Sequence, residues 1–110
     1  MTTSWTIHFV NKVAEEEILE LAPDLQAKFL HISDLLINFG PHQIGLPHVR
    51  PLEKKLWELR LKGKDNIARS IYVLASQRRI VILHTFIKKT EKTPQKALEI
   101  ARKRMKENLL

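Results

Sequence analysis

Arginine and lysine side chains occur on or just after three consecutive predicted strands, where they could bind phosphate. Arg60 lies on the first of these strands and Arg69 on the next, with only a short turn between them. We expect the two side chains close together on one exposed face of an antiparallel sheet. Lys88 and Lys89 follow the third strand. Clustered guanidinium and ammonium groups can bind adjacent phosphates and stabilise the charge that develops on a phosphorane.

The stretch KKLWELRLKG, residues 54–63, shows how the first strand would present these groups. With a period of two, one face receives Trp57, Leu59 and Leu61. The other face receives Leu56, Glu58, Arg60 and Lys62. The first set predicts a face that packs on a core, with Trp57 structural, and the second predicts a face in contact with solvent. Two roles stay open for Glu58, a general base and a structural partner that fixes Arg60, and it is kept among the candidate catalytic residues.

The charge distribution supports a polyanionic partner. The net charge is +7, but residues 1–53 hold three basic against seven acidic residues, whereas residues 54–106 hold sixteen against four. Lysines placed only for solubility would not segregate in this way, so a nucleic-acid partner is the preferred interpretation.

Other functional classes are excluded or disfavoured. The 110 residues fit one domain, residues 1–110, and contain no cysteine, which excludes disulfides, thiolate nucleophiles and cysteine-bound zinc. His42 and His48 lack convincing partner ligands, so no metal site is predicted. His84 and Tyr72 are expected to be packing residues rather than catalytic ones. With no signal peptide and no apolar run of about 20 residues, we expect a cytoplasmic protein that does not enter a membrane.

The pattern of elements predicts an α+β domain. Residues 5–10 alternate as a first strand, and residues 11–39 form two helices or one helix kinked at Pro23, the second with a stripe at Leu25, Phe29, Ile32, Leu36 and Phe39. Residues 40–51, with three prolines and two glycines, are predicted to be irregular. Strands follow at 56–62, 67–75 and 79–86, and a last helix starts with Thr93 as N-cap and Pro94 as its first residue. The predicted fold is two-layered, with a mostly antiparallel four-stranded sheet and the order β-α-α-β-β-β-α.

Three segments in order over residues 56–94 resemble a known family. They are Trp57-Glu58-Leu59-Arg60, Arg69-Ser70-Ile71-Tyr72, and FIKKTEKTP from Phe86 to Pro94. No segment is specific alone, but together they resemble the RelE/HigB superfamily of bacterial toxins. The resemblance is greatest to its phage-derived branch, whose members share a W/Y-E-L-R strand, an R-x-x-Y strand and an F-x-K-K-T-x-K-T-P segment. The order of elements fits this RelE-like fold over the whole chain.

The resemblance implies the toxin of a type II toxin–antitoxin system, a ribosome-dependent mRNA endonuclease that inhibits translation. In such enzymes the 2′-hydroxyl of the RNA attacks the adjacent phosphate, without a metal or other cofactor. By motif, Arg60 and Arg69 would hold the scissile phosphate, and Lys89 would belong to the catalytic site with Lys88 beside it. Side chains that would hold the RNA backbone or ribosomal RNA are Lys54, Lys55, Lys62 and Lys64. The implied partners are mRNA on the ribosome and a helix-turn-helix antitoxin.

The chain departs from the RelE pattern in ways that leave other functions open. RelE members have lysines where this chain has Leu56 and Glu58, and a tyrosine where it has Gln95, so roles in proton transfer are not carried over. One rival interpretation is a basic module that binds RNA or DNA through phosphates without cleaving it. Another is a degenerate toxin that acts only as an antitoxin partner or co-repressor.

Overall fold

The computed structural model describes residues 4–89 and 92–109, which form a five-stranded sheet with helices on both faces. Thr90 and Glu91 of the third motif segment lie outside the described residues. The elements in chain order are β1 Thr6–Phe9, α1 Lys12–Leu19, α2 Pro23–Phe39, a 3₁₀ turn Pro41–Gln43, β2 Val49–Glu53, β3 Leu56–Lys62, β4 Ile67–Ala75, β5 Arg79–Ile87 and α3 Gln95–Leu109. Among the described residues no helix combines the length and apolarity that crossing a membrane requires.

The sheet has the strand order β1-β5-β4-β3-β2 and is mixed. β3 to β5 form the predicted antiparallel meander. β2 adds a further antiparallel strand beside β3, and β1 pairs with β5 in parallel. The α+β class is therefore right, but the prediction of four strands is wrong because β2 was missed.

β2 lies inside the segment that was predicted to be irregular because of its prolines. The Arg60 amide donates to the His48 carbonyl at 2.8 Å, so residues 48 and 60 form a hydrogen-bonded pair. By alternation Pro51 occupies a non-bonded position opposite Trp57, where its nitrogen faces the free edge of the sheet. Proline is tolerated there because no ladder hydrogen bond is lost. A register shift follows between Pro51 and Glu53.

α1 and α2 pack on one face of the sheet and form the first core. Asn11 caps α1 as predicted, accepting a hydrogen bond from the Ala14 amide at 2.8 Å, and Pro23 begins α2. Leu25, Phe29, Ile32 and Leu36 are buried against Leu59 and Leu61, with Trp57 partly buried beside them. Phe39, the last residue of the predicted stripe, is instead 60% exposed. Gly40 ends the helix at a φ of +84°, which favours glycine.

α3 covers much of the opposite face, which was predicted to contact solvent. Its Ala97 and Ala101 are buried against a second core that includes Leu56 and Ile71. The solvated-face prediction is therefore wrong for Leu56 and Glu58, because small residues let the helix approach the sheet closely. It is also wrong for Arg69, which is buried although it was expected on an exposed face. Thr93 is not the predicted N-cap: the Pro94 carbonyl accepts hydrogen bonds from the amides of residues 97 and 98.

Glu17 and Arg104 complete the edge of β5 where β1 has ended. The Thr85 amide donates to Glu17 at 3.0 Å, and Arg104 donates to the Leu83 carbonyl at 2.9 Å. Arg104 also forms two 2.9 Å hydrogen bonds with Glu17, and His84 donates to it through Nδ1 at 3.0 Å. Burial alone would raise the pKa of the Glu17 carboxyl, but the hydrogen bonds from His84, Arg104 and Thr85 outweigh it and lower the pKa to about 2.

The low pKa of Glu17 predicts a loss of stability in acid. Its contribution is present above the ordinary pKa of 4.5 and is lost as the pH falls towards about 2. A difference of this size corresponds to on the order of 3 kcal/mol of unfolding free energy. In urea unfolding, Glu17→Gln should be less stable than wild type at neutral pH and should lose less stability between about pH 5 and about pH 3. Glu16→Gln, at an exposed neighbour, is the control, and parallel stability curves for wild type and Glu17→Gln would contradict the assignment.

Candidate phosphate-binding site

The register of the sheet brings the predicted arginines together and adds a third. Arg60 on β3 lies directly opposite Arg69 on β4. Two residues before Arg60, Glu58 lies opposite Arg50 on β2. Since alternate residues of a strand point to the same side, all four side chains belong to the α3 face. We call Arg50, Arg60 and Arg69, together with Glu58, the arginine cluster.

Glu58 is the centre of the arginine cluster and is 0% exposed. Its Oε2 lies 3.1 Å from Arg50 Nη2, 3.5 Å from Arg60 Nη1 and 3.6 Å from Arg69 Nε. Its Oε1 accepts a hydrogen bond from the Thr93 hydroxyl at 3.1 Å. Both carboxylate oxygens of Glu58 therefore have partners. The sequence left two roles open for Glu58, general base and structural partner, and this geometry is that of a structural partner.

The three arginines of the cluster differ in their exposure to solvent. Arg69 is only 6% exposed, whereas the side chains of Arg60 and Arg50 are 29% and 39% exposed. Burial, and then the positive charge of Arg60, lower the pKa of Arg69. Arg69 Nη1 donates to the Ala68 carbonyl at 3.0 Å.

Two buried donors of the cluster lack a hydrogen-bond partner. They are Arg50 Nε and Arg69 Nε, and among the described residues only Ser33 Oγ shares this condition. An unpaired buried donor costs roughly 1–3 kcal/mol, and such groups are rare in native proteins. Arg69 Nε still lies 3.6 Å from Glu58 Oε2, so an ion pair compensates its charge although no hydrogen bond forms.

Lys88 joins the cluster because of an irregularity in β5. Ile71 pairs with His84 and Tyr72 with Ile82, which leaves Leu83 as an extra residue. This bulge reverses the alternation of β5, so Phe86 lies opposite Arg69 and Lys88 follows on the same face. Burial, and then the charge of Arg69, lower the pKa of Lys88.

The other predicted lysines are spread over the molecule. Lys89 is exposed, and no contact within the described residues ties it to the cluster. Lys62 lies opposite Ile67, two residues after Arg60 on β3 and therefore on the same face of the sheet. Lys64 lies in the next turn, where its amide donates to Asp24 of α2 at 2.6 Å. Lys54 and Lys55 form the hairpin between β2 and β3, about 20–25 Å along β3 from Lys62.

The residues expected to be structural lie away from the cluster or are bound. Tyr72 is in the first core, on the other face of the sheet, and burial raises the pKa of its hydroxyl. His84 is held by Glu17 and stacks on Phe86 with ring centroids 5.5 Å apart.

Sequence reasoning missed Arg50 and Thr93. Arg50 was assigned to an irregular segment, and Thr93 was assigned to a helix cap. The change from apolar Val49 to charged Arg50 is the signal in the sequence that could have indicated a strand. Within residues 4–89 and 92–109 no group of three or more histidine, aspartate or glutamate side chains is arranged to hold a metal ion.

Comparisons with known proteins agree with this architecture. Residues 16–106 match the family described as "Phage derived protein Gp49-like (DUF891)". No curated protein matches the chain. Among solved structures, the chain is similar to one in the crystal structure of the archaeal RelE–RelB complex from Pyrococcus horikoshii OT3. The TM-score is 0.54 with 22% identity, over 76% of this chain and 94% of that chain. This likeness is one of fold. The family match covers most of the chain, and the protein therefore belongs to the phage-derived Gp49-like family of RelE/HigB-type toxins.

Proposed function

We propose that this toxin is a ribosome-dependent endoribonuclease that cleaves mRNA, and that the arginine cluster with Lys88 is its active site. The observation that carries the proposal is the convergence of three arginines on a single carboxylate, with Lys88 near enough for their charges to shift its pKa. Four cations against one anion leave a local excess of positive charge. An RNA phosphate would supply negative charge and would accept hydrogen bonds from the partly exposed guanidiniums of Arg50 and Arg60.

The reaction needs no atom that RNA and the side chains do not supply. The 2′-oxygen forms a bond to phosphorus while the bond from phosphorus to the 5′-oxygen breaks. The products are a 2′,3′-cyclic phosphate and a 5′-hydroxyl. One proton leaves the 2′-hydroxyl and another reaches the departing 5′-oxygen. The protein must orient the nucleotide and stabilise the extra charge on the phosphorane.

We assign separate roles to the cations. Arg60 and Arg50 are accessible enough to bind the phosphate oxygens directly, and Arg69 supports them from the buried end. Arginine stays protonated, so the proton transfer falls to Lys88, whose pKa is lowered by burial and by Arg69. Lys88 replaces Lys89, which the motif had placed there, because the bulge turns Lys88 towards the arginines.

We assign Glu58 as a positioning residue rather than as the general base. A base must reach the 2′-hydroxyl, but the Glu58 carboxylate is fully buried and its oxygens are bound by arginines and Thr93. Its function would be to hold the three guanidiniums at one spot despite their mutual repulsion.

The partners follow from the family and from the distribution of charge. The similar archaeal chain was crystallised in a complex named RelE–RelB, which supports an antitoxin partner for this chain, of the helix-turn-helix type that the resemblance implies. Lys54, Lys55, Lys62 and Lys64 lie on turns and strand ends around the sheet, and could contact ribosomal RNA while the cluster holds the mRNA.

Expression of the protein alone should test the enzymatic proposal directly. Induction in bacteria should arrest growth and translation and should create new mRNA ends that primer extension detects on ribosome-bound messages. A variant with Arg60→Ala should produce neither effect at equal soluble yield. Normal growth and unchanged mRNA ends with the wild-type protein would reject the proposal. Salt-dependent RNA binding without cleavage would instead favour the non-catalytic binding module.

The arginines should differ in how their loss affects cleavage and folding. Arg60→Ala and Arg69→Ala should each lower ribosome-dependent cleavage more than tenfold, since removing one donor to a developing charge costs roughly 10²–10³ in rate. Arg69→Ala should also lower the unfolding temperature, because Arg69 is buried. Arg78→Ala, in the exposed turn at the other end of β5, is the control and should cleave normally. Normal cleavage by both Arg60→Ala and Arg69→Ala would place the active site elsewhere.

Glu58→Gln separates a positioning residue from a general base. A positioning role predicts an unfolding free energy lower by about 3–5 kcal/mol, the usual cost of breaking a buried ion pair. It also predicts a reduced cleavage rate whose pH profile keeps the shape of the wild-type profile. If the variant folds with wild-type stability and loses the acidic limb of its pH profile, Glu58 is the base and our assignment is wrong. Lys88→Arg, which keeps the charge, should change the pH profile of cleavage while leaving stability unaltered.

A further inference from the structure

An open cleft of about 550 Å³ lies between β2 and the start of α3, beside the arginine cluster. Arg50 and Thr93 line it at one end, and both contact Glu58. Leu52 and Leu98 contribute apolar side chains to the lining, and Pro51, Glu53 and Lys92 complete it. The volume is within the range of roughly 300–1,000 Å³ that ligand pockets occupy.

The cleft is placed to receive the base of a nucleotide whose phosphate is in the cluster. Arg50 and Glu53 are three residues apart on β2, a separation of about 10 Å along the strand. That is the scale on which a single nucleotide extends from its phosphate to the far edge of its base. Apolar walls suit the faces of a base, and polar groups at the end suit its edge.

Glu53 is prepared to act as a hydrogen-bond acceptor in the cleft. Arg102 donates to its two oxygens at 2.8 and 2.6 Å. This pairing uses one lone pair of each oxygen and leaves a second free. It also neutralises a carboxylate that would otherwise repel RNA, and the hydrogen bond from Arg102 lowers the pKa of Glu53, which keeps the group an acceptor.

We propose that Glu53 reads the base beside the cleavage point by accepting a hydrogen bond from an exocyclic amino group. Adenine, cytosine and guanine each have such a group, whereas uracil has none. The single donor of uracil lies between two carbonyl oxygens, which a carboxylate disfavours. The inference rests on the proposed function, because it takes the phosphate in the arginine cluster as given.

Mapping of RNA ends tests this proposal with the full chain. Ribosomes translating mRNAs with randomised codons would be treated with wild type, Glu53→Ala or Glu107→Ala, the last an exposed residue of α3 outside the cleft. With wild type and Glu107→Ala, uracil should be depleted about tenfold at one position flanking the cut, the effect of one hydrogen bond to a charged group. Glu53→Ala should remove that depletion. Depletion that persists in Glu53→Ala, or its absence in wild type, would overturn the proposal.

A change in the RNA tests the same contact without altering the protein. Replacing adenine at the discriminated position by purine riboside, which lacks the amino group, should slow cleavage by wild type about tenfold. Equal cleavage of both RNAs by wild type would overturn the proposal even if Glu53→Ala failed to fold. If wild type cleaves no RNA at all, the proposed function fails and this inference fails with it. If cleavage occurs without discrimination at the cut, only the inference on Glu53 fails.

Discussion

The site depends on one buried negative charge. Three guanidiniums within 4 Å of a single carboxylate oxygen repel one another, and at the sheet surface they would splay into solvent. Glu58 prevents this, since its Oε2 lies within 3.1–3.6 Å of all three. The desolvation of its carboxylate is offset by the same contacts and by Thr93. One anion cannot neutralise three arginines and Lys88, and this imbalance leaves the local excess of positive charge on which the proposed function depends.

The helix that covers the sheet also sets the environment of the charges. α3 lies on the second core through two alanines, and Thr93, just before the helix, contacts Glu58 of the cluster. The cluster is therefore at the border between a dry core and solvent, and its arginines range from 6% to 39% exposed. Charges in such a border interact more strongly than they would in water, yet a ligand can still reach them. The anchoring of α3 by Arg104 to Glu17 holds this border in place.

Local patterns in the sequence predicted much of this structure, and the misses share a physical cause. Period-two alternation and the helical spacing from Leu25 to Leu36 depend on neighbours along the chain, and so does the facing of Arg60 and Arg69 across one short turn. The contact of Glu58 with Thr93 joins residues 35 apart in sequence, which periodicity does not encode. The contact of Glu58 with Arg50 crosses the short hairpin between β2 and β3, and it was missed because the prolines hid β2. Likewise, a simple alternation of β5 would put Lys89 on the arginine face. The bulge at Leu83, which no residue type announces, puts Lys88 there instead.

β2 supplies a cation and also closes the sheet. Arg50 points to the cluster, while the next residue, Pro51, presents a ring instead of an N–H to the open side of the strand. Another extended chain that approached the free edge of β2 would find one hydrogen-bond donor missing and the strand bent by the register shift. Sheet extension by a second copy, which is a common route to aggregation, is thereby disfavoured on the strand that lies beside the basic face.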